Sequence, residues 1–225
     1  MKNLTTFLLL IIAVSLFAAD PVAFMIKAKG EIELNRDEEK MMAEEGQNLI
    51  NKDELISKEQ SFAVVKFIDG SSSVKLFPNS ILTIEAEQED DKLNKRSTLM
   101  LGGLLAQVKK KTGIFEVDTP NNVVSVKGTQ FMVEVGESGR ASVSVKEGEV
   151  SIKNKQTSNE VSVTSGQKAA ENEAGEFTFS DVSADEFEEI YEEKGEDIKE
   201  VETLKIEMEN EDGEIEIIEI EFEKR

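Results

Sequence analysis

Val123-Val-Ser-Val-Lys-Gly-Thr-Gln-Phe-Met-Val-Glu-Val135 decides how this chain folds, because two alternating apolar and polar runs meet there at one Lys-Gly-Thr corner. A period of two puts every second side chain on the same face of an extended strand, so each run has one face to bury. Gly128 suits the corner, since it accepts a positive φ that a Cβ would resist. The same unit recurs on both sides. Before it stand Gly30-Glu-Ile-Glu-Leu34, Phe62-Ala-Val-Val-Lys-Phe-Ile68, Ser73-Val-Lys-Leu76, Ile81-Leu-Thr-Ile84, Leu104 to Val108 and Phe115-Glu-Val117. After it stand Ser142-Val-Ser-Val145, Val150-Ser-Ile152 and Val161-Ser-Val163. Asp69-Gly70 and Glu147-Gly148 supply further corners. Short alternating strands broken by such turns predict an all-β domain over residues 20–170. Stacked as rungs, the units make a β-roll or a solenoid-like sandwich. Arg36 to Glu45 is the exception: its composition is helical, and it ends at Gly46.

The ends of the chain have a different character. Lys2 precedes an apolar run from Phe7 to Phe17, closed by Ala18-Ala19, which predicts a secretory signal peptide over residues 1–19. The run falls short of the roughly 20 residues that span a bilayer, so no membrane span is expected after cleavage. The expected location is periplasmic or secreted, in a bacterial envelope. Residues 171–225 hold 23 acidic and 5 basic side chains, a net −18 of the −21 carried by all 225 residues. Within them Ser183 and Glu186 form a capping-box pattern ahead of Phe187, Ile190 and Tyr191, predicting a short helix. Val201 to Met208 and Ile215 to Phe222 alternate around Glu-Asn-Glu-Asp-Gly213, predicting a hairpin. The extension is therefore read as an acidic helix plus β-hairpin. Ile215, Ile217, Ile220 and Phe222 are the residues expected to pack in it.

Composition excludes much chemistry. The chain has no His and no Cys, which removes imidazole bases, thiolate nucleophiles, disulfides and the usual zinc sites. A polyanion repels nucleic acid, so none is expected as a partner. Asp53, Asp69 and Asp118 are the carboxylates available for an acid–base pair of glycosidase type. Asp69 and Asp118 stand at ordinary turn positions, however, and no catalytic residue is assigned. Glu89-Asp-Asp91 and Glu209 to Asp212 are oxygen-rich, but the second run has Met208 at the first ligand position of an EF-hand pattern; both are read as solvated turns, with weak calcium binding as the alternative, and no metal or cofactor is assigned. Lys109-Lys-Lys111 is a basic strand end that could dock the acidic tail of this or another copy, a contact that salt would weaken. Lys127, Gly128 and Thr129 are the candidate partner-binding residues, beside a purely structural corner role.

Phe115-Glu-Val-Asp-Thr-Pro120, Val124-Ser-Val-Lys-Gly-Thr129 and Phe131-Met-Val133 together resemble the FecR-type periplasmic domain. Upstream, Gly46, Asp53 to Ser57, Ser61 to Phe67, Asp69-Gly-Ser71 and Leu76-Phe-Pro-Asn-Ser80 are similar to the family's leading strands. Downstream, Val143 to Val150 and Val163 to Gln167 are similar to its closing strands. The resemblance covers about residues 22–170. Lys127 stands where the family usually has Arg, replacing a planar fork by a point charge. The resemblance implies a place among iron-uptake signalling proteins, which relay outer-membrane transporter occupancy to a cytoplasmic sigma factor, or among envelope proteins of unassigned role. The usual relay needs a cytoplasmic segment and a membrane span, and only six residues precede the apolar run. The expectation is thus a non-enzymatic envelope binding or assembly module recognising an envelope protein or glycan, of undetermined oligomeric state. Two alternatives stand beside it, a periplasmic signalling adaptor working with a separate membrane protein and a carboxylate-dependent polysaccharide hydrolase.

Overall fold

The computed structural model describes residues 19–89, 92–109 and 113–183, with Asp185, Phe187 and the backbones of 204–209 and 215–220. Strands follow one another along the chain: β1 Pro21–Lys29, β2 Ile32–Arg36, β3 Glu39–Met42, β4 Asn48–Ile50, β5 Asp53–Ser57, β6 Phe62–Phe67, β7 Ser72–Leu76, β8 Ser80–Glu89 and β9 Lys92–Val108. After a connection come β10 Phe115–Asp118, β11 Asn122–Val126, β12 Gln130–Val135, β13 Ala141–Glu147, β14 Glu149–Asn154, β15 Glu160–Thr164, β16 Gln167–Glu171 and β17 Phe177–Asp181. The protein is almost entirely β, as the alternation predicts.

The pairings sort these strands into two layers. A front layer runs β4-β1-β6-β7-β9-β12-β13-β16-β17. A back layer runs β3-β2-β5-β8-β9-β10-β11-β14-β15. From β10 onward the chain lays down hairpins alternately, back then front, each pairing with the preceding hairpin of its own layer. The front ladder continues through β16 and β17 to Asp181.

Strand β9 joins the layers. Its first part pairs with β8 and β10 at the back, and from Gly102 to Val108 it pairs with β7 and β12 at the front. The crossing is made at Gly102, where φ is +87° and a Cβ would lie 2.6 Å from the Ser80 Cα. A side chain there has neither room nor a favourable backbone. The Ser80 hydroxyl instead accepts the Gly103 amide at 2.8 Å and fastens the bend.

Between the layers lies one apolar core. Phe115 from the back stands edge-on to Phe67 and Phe131 from the front, with ring centroids 6.0 and 6.3 Å apart. Met25, Leu49 and Leu76 at the front and Ile32, Leu34, Leu55 and Leu82 at the back are fully buried around them. Each such side chain contributes about 1.5–3 kcal/mol of burial.

Two expectations change. Arg36 to Glu45 is not a helix: β2 and β3 form a hairpin with Arg36 opposite Glu39, and Asp37 and Glu38 turn it with φ of +51° and +69°. Helix-forming composition is a weak preference, and here strand pairing and the Arg36–Asp53 contact override it. The second change concerns faces. The outer face of the back layer is polar and partly exposed, as alternation implies. On the front layer Phe24, Ile26, Phe62, Val64, Leu105 and Met132 point away from the core yet are buried.

At the C-terminal side the Phe187 amide donates to the Ser183 carbonyl at 3.0 Å, one helical-type bond at the start of the expected helix, whose remainder lies outside the described residues. Two strands, β18 Leu204–Glu209 and β19 Ile215–Ile220, pair antiparallel with Leu204 opposite Ile220, at the place expected for the hairpin. The expected signal peptide lies outside the described residues save for Ala19. Among the described residues no helix is long and apolar enough to cross a membrane.

Candidate functional site

The Lys127-Gly128-Thr129 corner carries the chain from the back layer to the front. Gly128 has φ of +78°, and the Thr129 carbonyl accepts the Val108 amide at 2.9 Å, tying the corner to the end of β9. The Gly148 corner presses on it from the other side: a Cβ at Gly148 would stand 2.9 Å from the Gly128 carbonyl oxygen. Thr129 is consequently buried, and its Oγ1 has no hydrogen-bond partner among the described residues. Of the three candidates only Lys127 is exposed. Gly128 shapes the turn and Thr129 packs inside it.

Lys127 does not stand alone. It borders a cleft of about 550 Å³ shared with Lys92, Lys109, Asn94, Val126 and Ile114. Three lysines and an apolar side chain, Ile114 at 54% exposure, thus line the same cleft. Among the described lining residues the carboxylate is Glu89, which accepts the Asn94 side-chain amide at 2.7 Å. Nearby, the Lys66 ammonium is held below the usual lysine pKa, first by burial and then by the positive charge of Lys109. Such an arrangement fits an acidic segment carrying an apolar side chain. Lys109 of the basic strand end thus joins the corner, whereas Lys110 and Lys111 lie outside the described residues.

The carboxylates available for an acid–base pair, Asp53, Asp69 and Asp118, are each matched with a cation. Asp53 is fully buried and takes both Nε and Nη2 of Arg36, at 2.8 and 2.6 Å, as well as the Ile50 amide at 2.8 Å. That pairing raises the Arg36 pKa, chiefly through the hydrogen bond to Asp53. Asp69 holds the buried Lys95 together with Ser71, which accepts from Lys95 Nζ at 2.7 Å. Asp118 pairs with Lys155 at 2.7 Å. An acid–base pair needs two carboxylates with divergent proton affinities facing one substrate, and these three are instead pins between strands. Of the oxygen-rich candidates, Asp90, Asp91 and residues 210–212 lie outside the described residues. Among the described residues no three carboxylates gather as a cation site.

Sequence reading missed a polar knot beside the Thr119-Pro120 turn. The Glu171 carboxylate accepts from Asn122 at 2.7 Å, Asn154 at 3.0 Å, Asn121 at 3.3 Å and the Ala141 amide at 3.1 Å. Three separate stretches of chain, at 121–122, 141 and 154, donate to that one group, and nothing in local sequence links residues so far apart. The buried outer face of the front layer was also missed, although a signal exists. Val64-Val65, Leu104-Leu105 and Phe131-Met132 are consecutive apolar pairs, which break alternation and mark strands buried on both faces.

Residues 53–151, from the start of β5 into β14, match the family described as FecR protein. The fold is shared with two crystal structures of a candidate anti-sigma factor from Parabacteroides distasonis, each 19% identical. One has a TM-score of 0.53 over 62% of this chain and 64% of that one, the other 0.51 over 60% and 62%. This chain therefore spans a little under two thirds of those proteins. No curated protein matches it by sequence.

Proposed function

We propose that this chain is a non-catalytic signalling adaptor of the bacterial cell envelope, which binds a separate membrane protein through its FecR domain. The observation that carries the reading is the FecR match over residues 53–151, which encloses the Lys127 corner and its basic cleft. The shared fold with a candidate anti-sigma factor favours signalling over assembly as the use of such a domain. The pairing of Asp53, Asp69 and Asp118 with cations favours binding over hydrolysis. Recognition falls to Lys92, Lys109 and Lys127 around Ile114, which attract an acidic segment and offer its apolar side chain a seat. Export and processing after Ala18 or Ala19 bring the domain to that partner.

The test places a photo-crosslinking residue at Ile114 in the full chain and irradiates intact cells. The expected result is one membrane protein in stoichiometric adduct, lost when Lys92 and Lys127 are both changed to Glu. An adduct unaffected by that double change, or turnover of peptidoglycan or polysaccharide by the purified chain, overturns the reading.

A further inference from the structure

A β-layer whose outer face meets water carries polar side chains on that face, and the back layer does so. On the front layer a buried, largely apolar strip interrupts them. Across it the strand register lines up Val64, Lys75, Leu105, Met132 and Ser144 as directly opposed neighbours on the outward side. All five are at most 8% exposed, and Phe62 and Phe77 beside them are at most 4% exposed. Two described residues from beyond the sheet pack here: Val182 and Phe187 join Phe77, Leu105 and Met132 in a second apolar cluster, separate from the core.

Lysines stand within this strip and at its edge. Lys27, Lys29 and Lys75 stand over the Phe62 ring at 5.7, 5.8 and 4.9 Å, and Lys146 stands over the ring of Phe187 at 5.7 Å. The segment that begins at Ser183 has the complementary pattern. At helical spacing Phe187, Ile190 and Tyr191 form one stripe, and Glu186, Glu188 and Glu193 flank it on both sides. Its length also suits the surface. A helix over residues 183–194 is about 18 Å long, and the four strand-to-strand steps from β12 to β1 amount to about 19 Å.

We propose that the outer face of the front layer is a docking surface for an acidic amphipathic helix, and that its occupant is the chain's own segment 183–194. Phe187 is the anchor already seated, while Ile190 and Tyr191 continue along Leu105 and Val64 towards β1. The flanking glutamates meet those lysines. The acidic extension is thereby joined to the FecR domain through an apolar face that would otherwise meet water, and exposed patches of that kind promote association. This assignment is independent of the adaptor reading, because it involves neither the Lys127 corner nor its cleft.

The absence of native cysteine makes the test direct. In the full chain, Ile190→Cys is combined with Leu105→Cys or with Met132→Cys on the front layer, and with Thr98→Cys on the back layer as control. Under mild oxidation the front-layer pairs are expected to close within one chain at least about tenfold faster than the control, as a held segment has a high local concentration. Adding Phe187→Glu to the faster pair slows closure about tenfold by the same measure of local concentration, with the far-ultraviolet β signal retained. The proposal is overturned if neither front-layer pair outruns Thr98, if Phe187→Glu leaves the rate unchanged, or if the bond forms between two chains.

Discussion

Replacing Gly102 by Ala tests the bend that lets one strand serve both layers. The new Cβ would lie 2.6 Å from the Ser80 Cα, at a φ of +87°. Holding an L-residue at such a φ costs about 1–2 kcal/mol. Forcing a methyl group against backbone adds about 1–3 kcal/mol, because Ser80 cannot swing away as a flexible side chain would. The expected loss is therefore about 2–5 kcal/mol, the sum of those terms. Gly70→Ala provides the comparison: φ there is +63°, but nothing lies within 4 Å of the added Cβ, so only the backbone cost applies. Urea unfolding followed by circular dichroism reads both. With a slope of about 1–3 kcal/mol per molar, the difference of about 1–3 kcal/mol between the two variants displaces the midpoint by about 0.3–3 M. If Gly102→Ala unfolds at the same urea concentration as Gly70→Ala, close packing on Ser80 is not what requires glycine at the crossing.

Asp53→Asn should lower stability by about 2–4 kcal/mol in the same assay, since it leaves the Arg36 guanidinium without its charged partner, and a loss under 1 kcal/mol would mean the pair does not pin β5 to β2. Thr129→Val should be neutral or stabilising by up to about 1–2 kcal/mol, because it removes a buried hydroxyl that has no partner among the described residues; a marked loss would show that the hydroxyl is engaged. Lys66 gives a pH signature. Its folded pKa lies below the usual 10.5, so between those two values the unfolded chain binds the extra proton and stability rises with pH. Lys66→Gln should flatten that rise in thermal melts collected at increasing pH, and an unchanged slope would remove Lys66 as its source.

Legibility differed between strands for physical reasons. Phe115, Phe131 and Val133 lie on the core face where alternation places them, and the Gly70, Gly128 and Gly148 corners turn with positive φ. The run from Arg36 to Met42 misled because Asp37 and Glu38 make a two-residue turn without glycine, and its strand is stabilised by partners distant in sequence. At the candidate site, the exposure of Lys127 could be expected from its place between two strands. Its association with Lys92, Lys109 and Ile114 could not, because the cleft is formed where β9 and β10 return beside β11.

What the amino-acid order determined by itself was the local rule: a period of two, glycine at the corners, and charge concentrated after residue 170. These are near-neighbour properties, dictated by backbone sterics and the alternation of side chains along a strand. Which face of each strand is buried, and against what, was decided only by the tertiary structure. Val64, Leu105 and Met132 are apolar in sequence whether they face the core or the outside. Their shared outward face exists because strands far apart in the chain are brought side by side in one layer. The same holds for Glu171, whose carboxylate gathers Asn121, Asn122 and Asn154 only once the hairpins have stacked.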